Sequence, residues 1–199
     1  MEFVHGMTGA SGAVYGERLA LRLLETGHVV HLVVSDTATM VIHTELGLKR
    51  RAFVEKLREN APEPDRLIVH GASDYSAPFA SGSFRHDGMV ICPCSMKTLA
   101  CVANGTAEDL VARGADVALK ERYRLVLVPR ETPLGLVHLR NMTRATEAGA
   151  IVMPASPPMW SNPRTVDEMV DVFVGRVMDR LGAPWGGTPR WPRGGVEEE

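Results

Sequence analysis

The stretch FVHGMTGASGAVYGERLALRLLETGHVVHLVV, residues 3–34, decides the fold. Phe3 and Val4 lead into a turn of small residues, MTGASG. Residues 14–24 then place Leu19, Ala20, Leu23 and Leu24 at helical spacing, and Gly27 follows as a stop signal. VVHLVV, residues 29–34, is a short apolar run rich in β-branched side chains, the pattern of a strand buried on both faces. Two such strands joined by a helix make a parallel pair, because parallel strands need a long crossover.

Outward from this unit the alternation continues. Ser35 or Asp36 can cap a helix over 37–45. A charged amphipathic segment, 48–58, reads as a surface helix, and 67–69 as a short strand. Residues 71–87 are rich in Ser, Gly, Ala and Pro without a clear period; a loop of that length in a folded domain is commonly functional. Next come a strand over 89–92 ending at Pro93, a helix over 95–103 with Ser95 as its cap, and a second helix over 107–120. A strand over 125–128 ends at Pro129, and a helix over 136–148 stops at Gly149. A strand over 151–153 ends at Pro154, and an amphipathic helix spans 166–181. The expected fold is α/β: one domain, 1–181, with a doubly wound parallel sheet between two helical layers. The tail, 182–199, is Gly/Pro-rich and ends in three glutamates. Its Trp185 and Trp191 argue for docking, at the active site or on a neighbouring subunit.

Composition narrows the function. A chain of 199 residues, 45% hydrophobic and 23% charged, can bury a sizeable core, which excludes a disordered, collagen-like or coiled-coil chain. Its 22 basic and 24 acidic residues give a net charge of −2, which makes no case for nucleic acid or an anionic membrane. No apolar run reaches the roughly 18 residues of a membrane span, and the N-terminus has no basic leader, so a soluble cytoplasmic protein is expected. Cys92, Cys94 and Cys101 lack zinc spacing and read as reduced core residues. The seven histidines are scattered, with no H-x-x-x-H beside a carboxylate and no readable Ser-His-Asp grouping. Neither a metal site nor a hydrolase is expected.

Ligands of doubly wound sheets bind beyond the C-terminal strand ends, which selects residues 8–12, 35–37, 93–98, 129–131 and 154–162. Gly6, Gly9 and Gly12 follow a G-x-x-G-x-x-G spacing that is neither a dinucleotide fingerprint nor a P-loop. With Thr8 and Ser11, that strand-to-helix turn still offers backbone N–H groups to a phosphate or a flat ring. Ser95 to Thr98 repeat the geometry, and two such nests on one sheet edge imply a phosphorylated ligand. Arg130 and Glu131 directly follow a buried strand, where charges are costly unless used or paired. By spacing alone Arg113 and Lys120, seven apart on a helix, could be a solvated face, and Glu45 at a helix end is equally open.

The segments MTGASGAVYG, LVVSDTA, SGSF, CPCSMKTLA, ARGADVALKERYRLVLVPRETPL and HLRNM, in this order, resemble the UbiX-type flavin prenyltransferases from about Gly6 to Trp191. The resemblance implies a flavodoxin/Rossmann-like fold, a homododecamer with sites shared between subunits, and no metal. It implies transfer of a dimethylallyl group from dimethylallyl phosphate to N5 and C6 of reduced FMN. The product, prenylated FMN, would serve UbiD-type decarboxylases. By position, Gly9, Ala10, Ser11, Ser35, Ser95, Met96, Lys97, Thr98 and Arg130 would bind FMN. Glu45, Arg113, Lys120 and Glu131 would carry the chemistry, and Ser83, Trp160, Arg176 and Trp191 would line the prenyl donor. Trp160 stands where that family usually has a tyrosine, and Arg140 where it usually has a glutamate. Two other readings are an FMN carrier subunit and an FMN-dependent cysteine decarboxylase, for which PCSMKT replaces the expected segment and His43 is the only nearby histidine.

Overall fold

In the computed structural model, which describes residues 1–191, six parallel strands form one sheet. They are β1 (Glu2–Met7), β2 (Val29–Val34), β3 (Leu67–His70), β4 (Gly88–Cys94), β5 (Leu125–Pro129) and β6 (Ile151–Val152), in the order β3-β2-β1-β4-β5-β6. This is the order of a Rossmann sheet, in which the progression of the strands switches side between β1 and β4, opening a crevice at their C-terminal ends. Seven helices cover it: α1 (Ala13–Glu25), α2 (Asp36–Leu46), α3 (Arg50–Glu59), α4 (Met96–Asn104), α5 (Leu110–Lys120), α6 (Leu136–Glu147) and α7 (Val166–Leu181). Alternate strand residues feed two cores. Phe3, Met7, Leu32 and Val128 pack with α1, α2, α3 and α7, whereas Val4, Val33, Ile91 and Leu127 pack with α4, α5 and α6. The period of two along each apolar strand explains why helices are needed on both faces.

Beyond shifts of a residue or two at several ends, the structure departs from the sequence reading in three places. β4 does not end at Pro93 but runs to Cys94, pairing with β5 again at Cys94 and Pro129 after a register shift. Proline has no N–H to give the ladder and is tolerated at such an irregularity. α5 begins at Leu110 rather than 107, because the Asp109 carboxylate caps it by accepting the Ala112 N–H at 2.8 Å. The loop over 71–87 contains a 3₁₀ turn at Pro78–Ala80 and is anchored by Phe79, fully buried in the second core. All three cysteines are free and buried, and burial pushes the Cys92 and Cys94 thiols up. No helix among the described residues is long and apolar enough to cross a membrane.

The sheet also fixes an acid sensitivity. His5 lies wholly buried on β1 and donates Nε2–H to the Cys92 carbonyl at 3.0 Å. Desolvation pushes its pKa from 6.5 down to about 4, against the smaller opposing effect of that hydrogen bond. Burial also lowers His28, His70 and His86. The unfolded chain therefore binds protons below about pH 6.5 that the folded chain refuses until about pH 4, and stability falls across that window. His5 alone accounts for about 3 kcal/mol of the loss. Denaturant titrations from pH 7 to pH 4 should show a His5→Leu variant with a flatter slope; an unchanged slope would remove His5 as its source.

Candidate active site

Thr8 ties the two strands at the switch point. Its hydroxyl donates to the Pro93 carbonyl at 3.0 Å and accepts the Ser95 N–H at 2.7 Å, while its own N–H reaches the same carbonyl. This clasp sets α4 beside the turn that follows β1. Ser35 and Ser95 cap α2 and α4, accepting the N–H of Ala38 at 3.1 Å and of Thr98 at 3.2 Å. Each cap hydroxyl also meets a threonine hydroxyl, Ser35 with Thr37 at 3.1 Å and Ser95 with Thr98 at 3.0 Å. Within each pair one O–H serves the partner and the other is left to donate outward. Both pairs open into one cleft with Lys97, Cys101, Glu108, Asp109 and Ala112. Two helix N-termini and two outward hydroxyls suit a phosphate ester, and Lys97, paired with Glu108 at 2.9 Å, stands at the cleft. Gly9 closes the approach to α2: a Cβ there would lie 2.7 Å from Thr37 Oγ1.

The third helix N-terminus on this edge is already filled. Gly12 adopts φ +107°, a left-handed conformation that glycine takes without strain, and turns the chain into α1. Glu45, from the last turn of α2, accepts the N–H groups of Gly12 at 2.9 Å and Ala13 at 2.7 Å. Burial would raise its pKa, but the Ser11, Ala13 and Gly12 hydrogen bonds and Arg130 outweigh that and lower it. Arg130 Nε in turn donates to the Ser11 carbonyl at 3.2 Å. Ser11, Glu45 and Arg130 thus form one charged group beside the switch point, with Glu131 next in the chain and its carboxylate accepting the Thr132 N–H at 3.0 Å. The Glu45 carboxylate occupies the N-terminus of α1, whereas the α2 and α4 caps keep donors facing the cleft. Glu45→Gln should cost about 1 kcal/mol at neutral pH, where the charge faces a helix N-terminus, and little at a pH acid enough to protonate the carboxylate despite its lowered pKa. Equal losses at both pH values would show that the charge is irrelevant.

The remaining site residues lie elsewhere. Met96 is buried in the second core, so its side chain does not face the cleft. Arg113 donates from Nε to the Ala80 carbonyl at 3.1 Å and pairs with Asp116 at 2.8 Å, bracing the loop that carries Ser83. Lys120 ends α5, paired with Glu121 beneath Gly82 of that same loop. All strands are parallel and α5 leads into β5, so Lys120 sits at the edge opposite the cleft. Arg176 is exposed on the second half of α7, whose C-terminal Gly182 abuts Arg124 at that opposite edge. Trp160 meets Trp191 edge-to-face at 5.3 Å, and neither lines the cleft. One chain therefore presents several separate groups rather than one closed site. Cys101 reads from sequence only as a core residue, and Glu108 and Asp109 do not stand out there, although Asp109 carries a signal as a capping residue three positions before Ala112.

The comparisons decide what this edge belongs to. The Flavoprotein family model matches residues 1–178. A probable UbiX-like flavin prenyltransferase of Streptomyces sp. (strain D7) is 48% identical over 192 residues, spanning 96% of this chain and 92% of that one. The chain belongs to the UbiX-like flavoproteins. The crystal structure of AnUbiX (PadA1) in complex with FMN and dimethylallyl pyrophosphate matches with a TM-score of 0.89 at 41% identity, over 98% of both chains. A dodecameric FMN-dependent UbiX-like decarboxylase from Escherichia coli O157:H7 matches with a TM-score of 0.87 at 41% identity, over 96% of this chain and 100% of that one. Among the described residues of this UbiX-like chain, no group of three or more His, Cys, Asp or Glu side chains could hold a metal ion.

Proposed function

We propose that the chain transfers a dimethylallyl group from a dimethylallyl phosphate to N5 and C6 of reduced FMN, and that a UbiD-type decarboxylase receives the prenylated flavin. The observation that carries this reading is the cleft between the α2 and α4 caps at the switch point. It lies in a chain 41% identical to a protein crystallised with FMN and dimethylallyl pyrophosphate. FMN supplies the nucleophilic ring atoms. The chain's own residues do the rest. Ser35, Thr37, Ser95 and Thr98 hold the flavin phosphate through hydroxyl and backbone donors, with Gly9, Ala10 and Lys97 beside them. Arg130, braced on Ser11, supplies fixed positive charge at the sheet edge. When the allylic C–O bond breaks, negative charge moves to the departing phosphate, where Arg113, Lys120 and Arg176 stabilise it and Glu131 acts as the general acid. Positive charge on the prenyl carbons is sheltered by the π faces of Trp160 and Trp191. The ring proton lost at C6 leaves to Glu45 or to the released phosphate.

Site groups held apart in one chain fit a site completed by neighbouring copies, and one relative is a dodecamer. Exposed Leu136, Val137 and Leu139 on α6 supply apolar surface for such contacts. Anaerobic incubation with reduced FMN and dimethylallyl phosphate, followed by mass spectrometry of the released flavin, tests the activity. A gain of one prenyl unit is expected; unmodified FMN with both the monophosphate and the pyrophosphate would overturn the reading in favour of a flavin carrier.

A further inference from the structure

We propose that Gly175, Asp179 and Arg190 are positioning residues that hold the 183–191 segment as a strap, and that this strap fixes the Trp160 indole. The proposal rests on the reading that Trp160 faces the prenyl donor. After α7 the chain folds back on that helix. Ala183 is buried, and the Trp185 ring lies under the Arg22 guanidinium at 4.4 Å, which itself pairs with Asp171 at 3.1 Å. Thr188 is 5% exposed and seats directly on Gly175. A Cβ at position 175 would overlap Thr188 Oγ1 and lie 2.8 Å from its Cγ2. Glycine in mid-helix is costly against alanine, and the close approach of Thr188 is what it permits here. Arg190 then grips Asp179 with both terminal nitrogens, at 2.5 and 2.9 Å, and the Asp179 side chain is only 9% exposed.

Trp191 follows this clasp immediately and meets the Trp160 ring at 5.3 Å and 67°. Trp160 stands on a tight turn in which the Asn162 N–H reaches the Met159 carbonyl and Asn162 takes a positive φ. The turn's neighbours Ser161 and Pro163 share a cleft with Trp185, Gly187 and Pro189, so turn and strap meet above α7. Trp160 remains 40% exposed and has Trp191 as its aromatic partner. The strap is the element that orients it.

The test uses the full chain with Arg190→Gln, which alters a half-exposed side chain, and Gly175→Ala, which blocks the Thr188 seat. Two indoles at this separation give an exciton couplet in circular dichroism, and Trp160→Phe identifies it. Both variants should lose the couplet and raise KM for dimethylallyl phosphate about tenfold or more, with FMN affinity unchanged. The exchange Asp179→Arg with Arg190→Asp should restore both. A couplet that persists in both variants, or one that is lost with KM unchanged, overturns the proposal. If the wild-type chain transfers no prenyl group, the proposed function fails instead. The strap's hold on Trp160 is then read from the couplet alone: loss with restoration by the exchange supports it, and persistence overturns it.

Discussion

Glutamine at position 131 should lower the single-turnover rate of prenyl transfer by roughly 10²–10⁴-fold, the usual contribution of a positioned acid. The Kd for FMN should stay within about twofold, since no flavin contact is removed. The separation follows from where Glu131 stands. It is exposed at the end of β5, outside both cores, so the change creates no cavity. Its Oε1 accepts the Thr132 N–H at 3.0 Å, and an amide oxygen can accept the same bond, so the turn survives. In the proposed site the phosphate is held by the α2 and α4 caps and Arg130, whose hydrogen bonds the substitution leaves alone. Only the proton is removed. Fluorescence titration gives the Kd and mass-resolved single turnovers give the rate. A rate within tenfold of wild type would take the proton-donor role from Glu131, and undiminished function in decarboxylase activation would favour a carrier.

The elements legible in the sequence were those whose periodicity is set by burial on one or two faces. VVHLVV and LVLV must be covered on both sides, and α7 was placed over 166–181 from its apolar stripe alone. What stayed hidden was set by single hydrogen bonds or by partners far along the chain. Asp109 starts α5 by capping it, a three-residue change that moves Asp109 from inside a helix to the wall of the cleft. Glu45 illustrates the second kind. Its place at a helix end was readable, but its use as the anion for α1 depends on contacts 32 and 33 residues away. The glycine turn is a nest of N–H donors, as its spacing predicts, yet the carboxylate in it comes from the protein itself. Residue chemistry could select Lys120 and Arg176, but only the strand direction shows that they sit away from the cleft.

That separation makes a complementation result the expected one. Asp109 lines the cleft and Lys120 lies eleven residues further along the same helix, about 16 Å away at 1.5 Å per residue. An extended lysine reaches less than half of that, so in the proposed reaction Lys120 would serve a donor bound at another copy's cleft. Lys120→Met alone should be nearly inactive, by loss of a fixed charge on the departing phosphate. It should fold, because Lys120 is half exposed and pairs only with its neighbour Glu121. Glu131→Gln alone should be nearly inactive for the reason given above. Co-assembled in equal amounts, the two inactive chains should recover about a quarter of wild-type turnover, since roughly one site in four then draws both residues from unaltered positions. Mixing the purified oligomers without exchange should recover nothing, which separates true sharing from diffusion of an intermediate. If co-assembly also recovers nothing, Lys120 and Glu131 act from the same chain, and the chain must rearrange α5 to bring them together.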